Sequence, residues 1–94
     1  MKFDDILKLQ SYIKDWLERK DIIVFSVYIT LEVPMYSNGL CSISFYEREQ
    51  LQDFLSLMEY SVQCNKSDYT IIEDSNTILL SGLALVKLYN GIIE

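Results

Sequence analysis

From Ile22 to Val33 every second side chain is large and apolar: Ile23, Phe25, Val27, Ile29, Leu31 and Val33. The intervening set, Ile22, Val24, Ser26, Tyr28, Thr30 and Glu32, turns polar halfway along. A period of two over that length predicts a strand with one face in a core. After Ser37-Asn38-Gly39 the alternation resumes, with Cys41, Ile43 and Phe45 on one side and Ser42, Ser44 and Tyr46 on the other. This is the pattern of a β-hairpin. Residues directly opposite each other share a face, so the odd-numbered core sets of the two strands should meet. A three-residue loop, Ser37-Asn38-Gly39, achieves this, setting Val33 against Ile43 and Leu31 against Phe45; a two-residue loop does not. It also places Gly39 at the left-handed position that closes a G1 bulge. Pro34 cannot donate to a ladder, so the far end of the first strand is expected at an edge or in a bulge.

The remaining segments follow from period and turn chemistry. Residues 4–20 predict an amphipathic helix with Phe3, Ile6, Leu9, Ile13, Trp16 and Leu17 on one stripe and Lys8, Ser11, Asp15 and Glu18 opposite. Asp4 and Asp5 at its start and Arg19 and Lys20 at its end oppose the helix dipole. A second helix is expected from about Glu47 to Val62, burying Leu51, Phe54, Leu55, Met58 and Val62. Ser44 and Glu47 have the spacing of a capping box at its start. Tyr69–Glu73 and Thr77–Ser81 predict a second hairpin around Asp74-Ser75-Asn76. Its apolar residues fall on both faces, Ile72, Ile78 and Leu80 against Ile71 and Leu79, which suggests a place mid-sheet or cover on both sides, by its own domain or by another copy. The tail from Leu83 suits a short helix stopped at Asn90-Gly91, or a strand continuing past a bulge at Gly82; the helix is the preferred reading. The order is therefore α-β-β-α-β-β-(α), one α+β domain over residues 1–94. Its natural layered solution is a two-layer sandwich: a four-stranded, mostly antiparallel sheet with the helices on one face.

Composition narrows the function. Ninety-four residues can bury a core without metals or disulfides. Two cysteines form no disulfide framework, no apolar run is long enough to span a bilayer, and Met1-Lys2-Phe3-Asp4-Asp5 does not read as a signal peptide. A cytoplasmic protein is expected, or one acting in a host cytoplasm if phage-encoded. The net charge is −6. Residues 1–21 are balanced, five charges of each sign, so the imbalance lies after the first helix. No basic stripe exists to follow phosphates, which argues against direct nucleic-acid binding and favours a partner with a basic surface.

The chain has no histidine, no C-x-x-C pair, no glycine-rich phosphate loop and no nucleophile elbow. No catalytic residue, cofactor site or metal site is therefore expected. Glu47, Glu49, Asp53, Glu73 and Asp74 fall in a helical first turn or a loop tip, where solvation keeps paired carboxylates from acquiring separate acid and base roles. The outward face of the first hairpin carries more information. Tyr28, Thr30, Glu32, Tyr36, Ser42, Ser44 and Tyr46 should lie together on it, with Thr30 opposite Tyr46 and Glu32 opposite Ser44. Tyrosine with small polar residues is what recognition surfaces use, although Tyr and Thr also favour strands for their own sake. Glu49, Asp53 and Tyr60 on the second helix form a lesser candidate surface.

These features point to a small, acidic, non-enzymatic protein that inhibits a macromolecular partner by covering its surface. Toxin immunity proteins and phage anti-defence proteins, anti-CRISPRs included, have this size and charge. That is an analogy of class, not of motif. The expected partner is a protein, such as a nuclease or another nucleic-acid-binding protein with a basic surface. The alternative is a self-associating subunit, a homodimer burying the second hairpin or the 83–93 tail. An enzyme or small-ligand binder using carboxylates and Tyr ranks third.

Overall fold

A computed structural model describes residues 6–29 and 41–93 of the chain. The order is α1 (Ile6–Arg19), β1 (Val24–Ile29), β2 (Cys41–Phe45), α2 (Arg48–Leu57), β3 (Tyr69–Ile72), β4 (Thr77–Leu80) and α3 (Gly82–Ile93). The four strands form one antiparallel sheet in the order β1-β2-β4-β3. This is the expected α+β layering, with the helices on one face of the sheet.

The helical stripes meet the inner face of that sheet. Leu9, Ile13, Trp16 and Leu17 of α1, Leu51 and Phe54 of α2, and Ala84, Leu85 and Leu88 of α3 are buried in one cluster with Cys41, Ile43, Phe45, Ile78 and Leu80. α2 continues as a π-helical segment, Met58–Val62, which Gln63 ends in the left-handed region at φ 60°. Its expected stripe holds: Leu51, Phe54, Met58 and Val62 are buried and Leu55 half-buried, while Glu49, Gln52, Asp53, Ser56 and Tyr60 face solvent.

Several expectations are corrected. Glu47 is the N-cap of α2 and makes no side-chain cap bond; Ser44 instead lies in β2, with its hydroxyl 2.9 Å from that of Thr77. The tail is helical, as preferred, but it does not stop at Gly91, running on to Ile93. A Cβ at Gly91 would stand 3.3 Å from Val62 Cγ2, so this glycine allows α3 to approach the π segment. Gly82 makes no bulge. Ser81, just before it, caps α3: its hydroxyl accepts the Ala84 N–H (3.2 Å) and its carbonyl the Leu85 N–H (2.9 Å).

Strand β1 departs furthest from the expected pattern. A bulge between Val24 and Ser26 inserts one residue, so that Val24 pairs with Phe45 and Ser26 with Ser44. Inward positions are even before the bulge and odd after it. Ile22 and Val24 are therefore buried, and so is Ile29, whereas Ile23 and Phe25, expected in the core, are 54% and 62% exposed. Ile43 faces Val27 rather than Val33, and Cys41 faces Ile29, which shifts the expected register by six residues. Residues 30–40 connect the strands, so Leu31, Val33, Pro34 and the proposed Ser37-Asn38-Gly39 loop lie outside the described residues, as do Phe3, Asp4 and Asp5.

The second hairpin forms where expected, turning through a 3-10 segment, Glu73–Ser75, and a left-handed Asn76. Ile71 pairs with Ile78 and Ile72 with Thr77. Ile71, not Ile72, thus shares the inner face with Ile78 and Leu80. Ahead of β3, a 3-10 turn at Lys66–Asp68 is tied to α3 by the Asp68 carboxylate. That carboxylate accepts the Asn65 N–H and the Lys87 ammonium, each at 3.0 Å. The backbone donor first, and then Lys87, hold Asp68 below the usual carboxylate range.

Two outcomes follow for stability. Phe54 is fully buried and its ring lies 5.5 Å from that of Phe45, so Phe54→Ala should cost about 3–5 kcal/mol in urea unfolding. A native pKa lowered below the unfolded value contributes stability that is complete above the unfolded value and disappears as pH falls through the native one. Asp68→Asn should therefore destabilise the protein at pH 7, and the gap from wild type should close below about pH 4. Denaturation midpoints across pH 2–7 give the readout.

Candidate protein-binding face

Strand parity decides what the outer face of the sheet displays. Beyond the bulge, β1 turns Ser26 and Tyr28 outward, and Phe25 joins them because the extra residue lies on that side. Across the ladder, Ser26 meets Ser44, which meets Thr77, which meets Ile72. A second row runs Tyr28, Ser42, Leu79, Thr70. Large side chains thus stand on the edge strands and mostly small ones on the central pair. Tyr46 follows Ser44 by two residues and meets Phe25 edge-to-face, with ring centroids 5.3 Å apart at 82°.

Among the described residues this face is open and carries no charge. Phe25, Tyr28 and Tyr46 are each more than 60% exposed, and Ile72 is also exposed. None of the outward residues on the four described strands carries a charge. The hydroxyls in the centre satisfy one another: Thr77 lies between Ser44 and Ser75, each oxygen pair 2.9 Å apart. Thr77 is buried even though it belongs to the outer face.

The candidate residues divide into three groups. Tyr28, Ser42, Ser44 and Tyr46 share the outer face as expected. Glu49, Asp53 and Tyr60 are exposed on the side of α2 and its π extension that points away from the sheet, so one flat surface cannot touch both groups. Thr30, Glu32 and Tyr36 lie outside the described residues; opposite Ser44 stands Ser26, not Glu32. Sequence reasoning missed Phe25, Ile72 and Leu79. Four consecutive apolar residues, Ile22 to Phe25, carry no parity signal, and a bulge is what such a run can hide.

Neither cysteine is activated. Burial pushes the Cys41 thiol up to about 12, and burial also raises Cys64 despite nearby Lys87, so both stay protonated at neutral pH. Among the described residues, no three His, Cys, Asp or Glu side chains converge to hold a metal ion, and no helix is long and apolar enough to cross a membrane. No protein-family model matches the chain, and no match was found among curated proteins or solved structures.

The geometry separates side chains that hold the fold from those that only face out. Thr77→Val should cost about 1–3 kcal/mol, because it removes the buried hydroxyl that bonds Ser44 and Ser75 and donates to the Ser75 carbonyl. Tyr28→Ala should stay within about 0.5 kcal/mol of wild type. Thermal or urea unfolding of the two variants checks the contrast.

Proposed function

We propose that this chain is a non-enzymatic binding protein that blocks a protein partner by laying the open face of its sheet on the partner's surface. The supporting observation is the placement of Phe25, Tyr28 and Tyr46. Three large aromatic side chains stand exposed on a surface whose described residues carry no charge, in a chain whose net charge is −6. Aromatic rings supply contact area at low ordering cost, and the surrounding Ser and Thr residues supply hydrogen bonds at a dry interface. Occlusion of this kind needs no catalytic group. It suits a neutralising role such as that of an immunity or anti-defence protein.

A second mode has its own support. Glu49, Asp53 and Glu59 line the solvent side of α2 and the π segment beside Tyr60, which is 78% exposed. This side fits a basic, nucleic-acid-binding partner. The two modes differ in salt response: docking by the neutral face changes little between low and high salt, whereas docking by carboxylates weakens steeply.

The test is affinity capture from the native host with tagged wild type, Tyr28→Ala/Tyr46→Ala and Glu49→Lys/Asp53→Lys. Loss of one aromatic anchor at a docked interface costs about 2 kcal/mol or more, roughly thirtyfold in affinity. The expected result is a partner that the tyrosine variant loses and the charge variant keeps, with little salt dependence. The opposite pattern assigns docking to α2. Turnover of a small molecule that disappears when one carboxylate is neutralised, with the fold intact, would end the binding-protein reading.

A further inference from the structure

The two edges of the sheet are finished differently. The Ser81 N–H donates to the Asp68 carbonyl at 3.0 Å, which fixes the ladder phase between β3 and β4. Thr70 and Ile72 therefore spend their backbone groups on β4, while the N–H and C=O of Tyr69 and Ile71 point to the free edge. On β1 the corresponding outward groups belong to Val27 and Ile29. There the Ile29 N–H is taken by the Gln10 side chain of α1 at 3.1 Å, and the bulge distorts the edge further. Strand β3 has neither protection; the outward groups of Tyr69 and Ile71 find no partner among the described residues.

The inner face is also unfinished at this end. Ile43, Ile78 and Leu80 are fully buried, but Tyr69 and Ile71, on the same face in β3, are half-buried. Beside Tyr69 opens a cleft of ≈ 320 Å³ lined also by Glu59, Gln63, Cys64, Asn65 and Lys66.

We infer that a second copy of this chain pairs antiparallel along the β3 edge, with Thr70 on the two-fold axis. Three registers use the outward groups of Tyr69 and Ile71, and the length of the strand, Tyr69–Ile72, selects among them. Centring on Thr70 sets Tyr69 against Ile71 of the other copy, so both outward pairs exchange their backbone bonds. Centring on Tyr69 would set Ile71 against Ser67, and centring on Ile71 would set Tyr69 against Glu73; both lie in 3-10 turns, so each of these registers keeps only one bonded pair within the strand. In the Thr70-centred register the inner face gains two Tyr–Ile cross-strand pairs, each at the mouth of a cleft, and the outer face a Thr–Thr pair. The partner is thus defined: the same edge, inverted.

The test uses the full chain. At about 100 µM, sedimentation equilibrium should give twice the one-chain mass of 11.0 kDa. Thr70 faces its counterpart at a non-hydrogen-bonded site, where α-carbons stand about 4.5 Å apart, within disulfide reach. Thr70→Cys should therefore crosslink under mild oxidation into a covalent dimer, while Ile72→Cys and wild type do not. Ile71→Pro removes an outward N–H while sparing the bonds to β4, and should give a folded monomer by circular dichroism. The inference is overturned by a monomeric wild type at that concentration, by failure of Thr70→Cys to crosslink, or by an Ile71→Pro variant that remains dimeric.

Discussion

A single dry layer between the sheet and the helices determines the rest of the molecule. Ile43, Phe45, Ile78 and Leu80 form its floor; Phe54, Met58, Leu85 and Leu88 form its roof. Among the described residues, the three helices all give their apolar stripes to this layer and leave the opposite side of the sheet open. The central strands are accordingly two-sided. Their inner positions are apolar, and their outer positions are mostly hydroxyl-bearing residues short enough to satisfy one another across the ladder, as Ser44 and Thr77 do. A buried hydroxyl without such a partner would cost about 1–3 kcal/mol, so the polar rows are part of the fold as well as of its surface.

Against that background, one extra residue in β1 has a large effect. Without the bulge, a strict alternation would have put either Ile22 and Val24 or Val27 and Ile29 into solvent. With it, all four turn toward the helices and the surplus aromatic, Phe25, is forced outward beside Tyr46. The exposed aromatic pair is therefore a consequence of packing the edge strand well. The same bulge, together with the Gln10 side chain on the Ile29 N–H, spoils that edge as a template for another strand.

Much of this was legible in the residues. Each helix stripe survives contact with the structure because 3.6-residue periodicity over ten or more residues has few competing readings. Leu9, Ile13, Trp16 and Leu17 illustrate it, as do Leu51, Phe54, Met58 and Val62. Register was not legible, for a definite reason. Parity constrains a hairpin only modulo two, and the observed pairing of Ile43 with Val27 lies six residues from the expected pairing with Val33, so both satisfy it. In the second hairpin four residues separate Ile72 from Thr77, which pairs even with odd and moves Ile72 to the outer face. Ser44 shows a further limit: its spacing to Glu47 fits a helix cap, but a strand position with Thr77 opposite competes for the same hydroxyl. Of the candidate site, the tyrosines on the hairpin face were found by alternation, and their separation from Glu49 and Asp53 was not, because a sequence does not state which layer a helix face looks away from.

The open face and the open edge are compatible, and their geometry links them. A two-fold axis through paired antiparallel strands runs perpendicular to the sheet, so both copies present the same face on the same side. Pairing at β3 would leave the β1–β2 aromatic groups at the two far ends of an eight-stranded sheet, uncovered and pointing the same way. Such a dimer displays its docking surface twice without consuming any of it. Against a partner that is itself repeated or symmetric, two linked contacts of modest strength can hold about 10²–10⁴ times more tightly than one, provided their spacing matches. An uncharged patch on a small acidic chain need not bind tightly alone if the fold shows it in pairs.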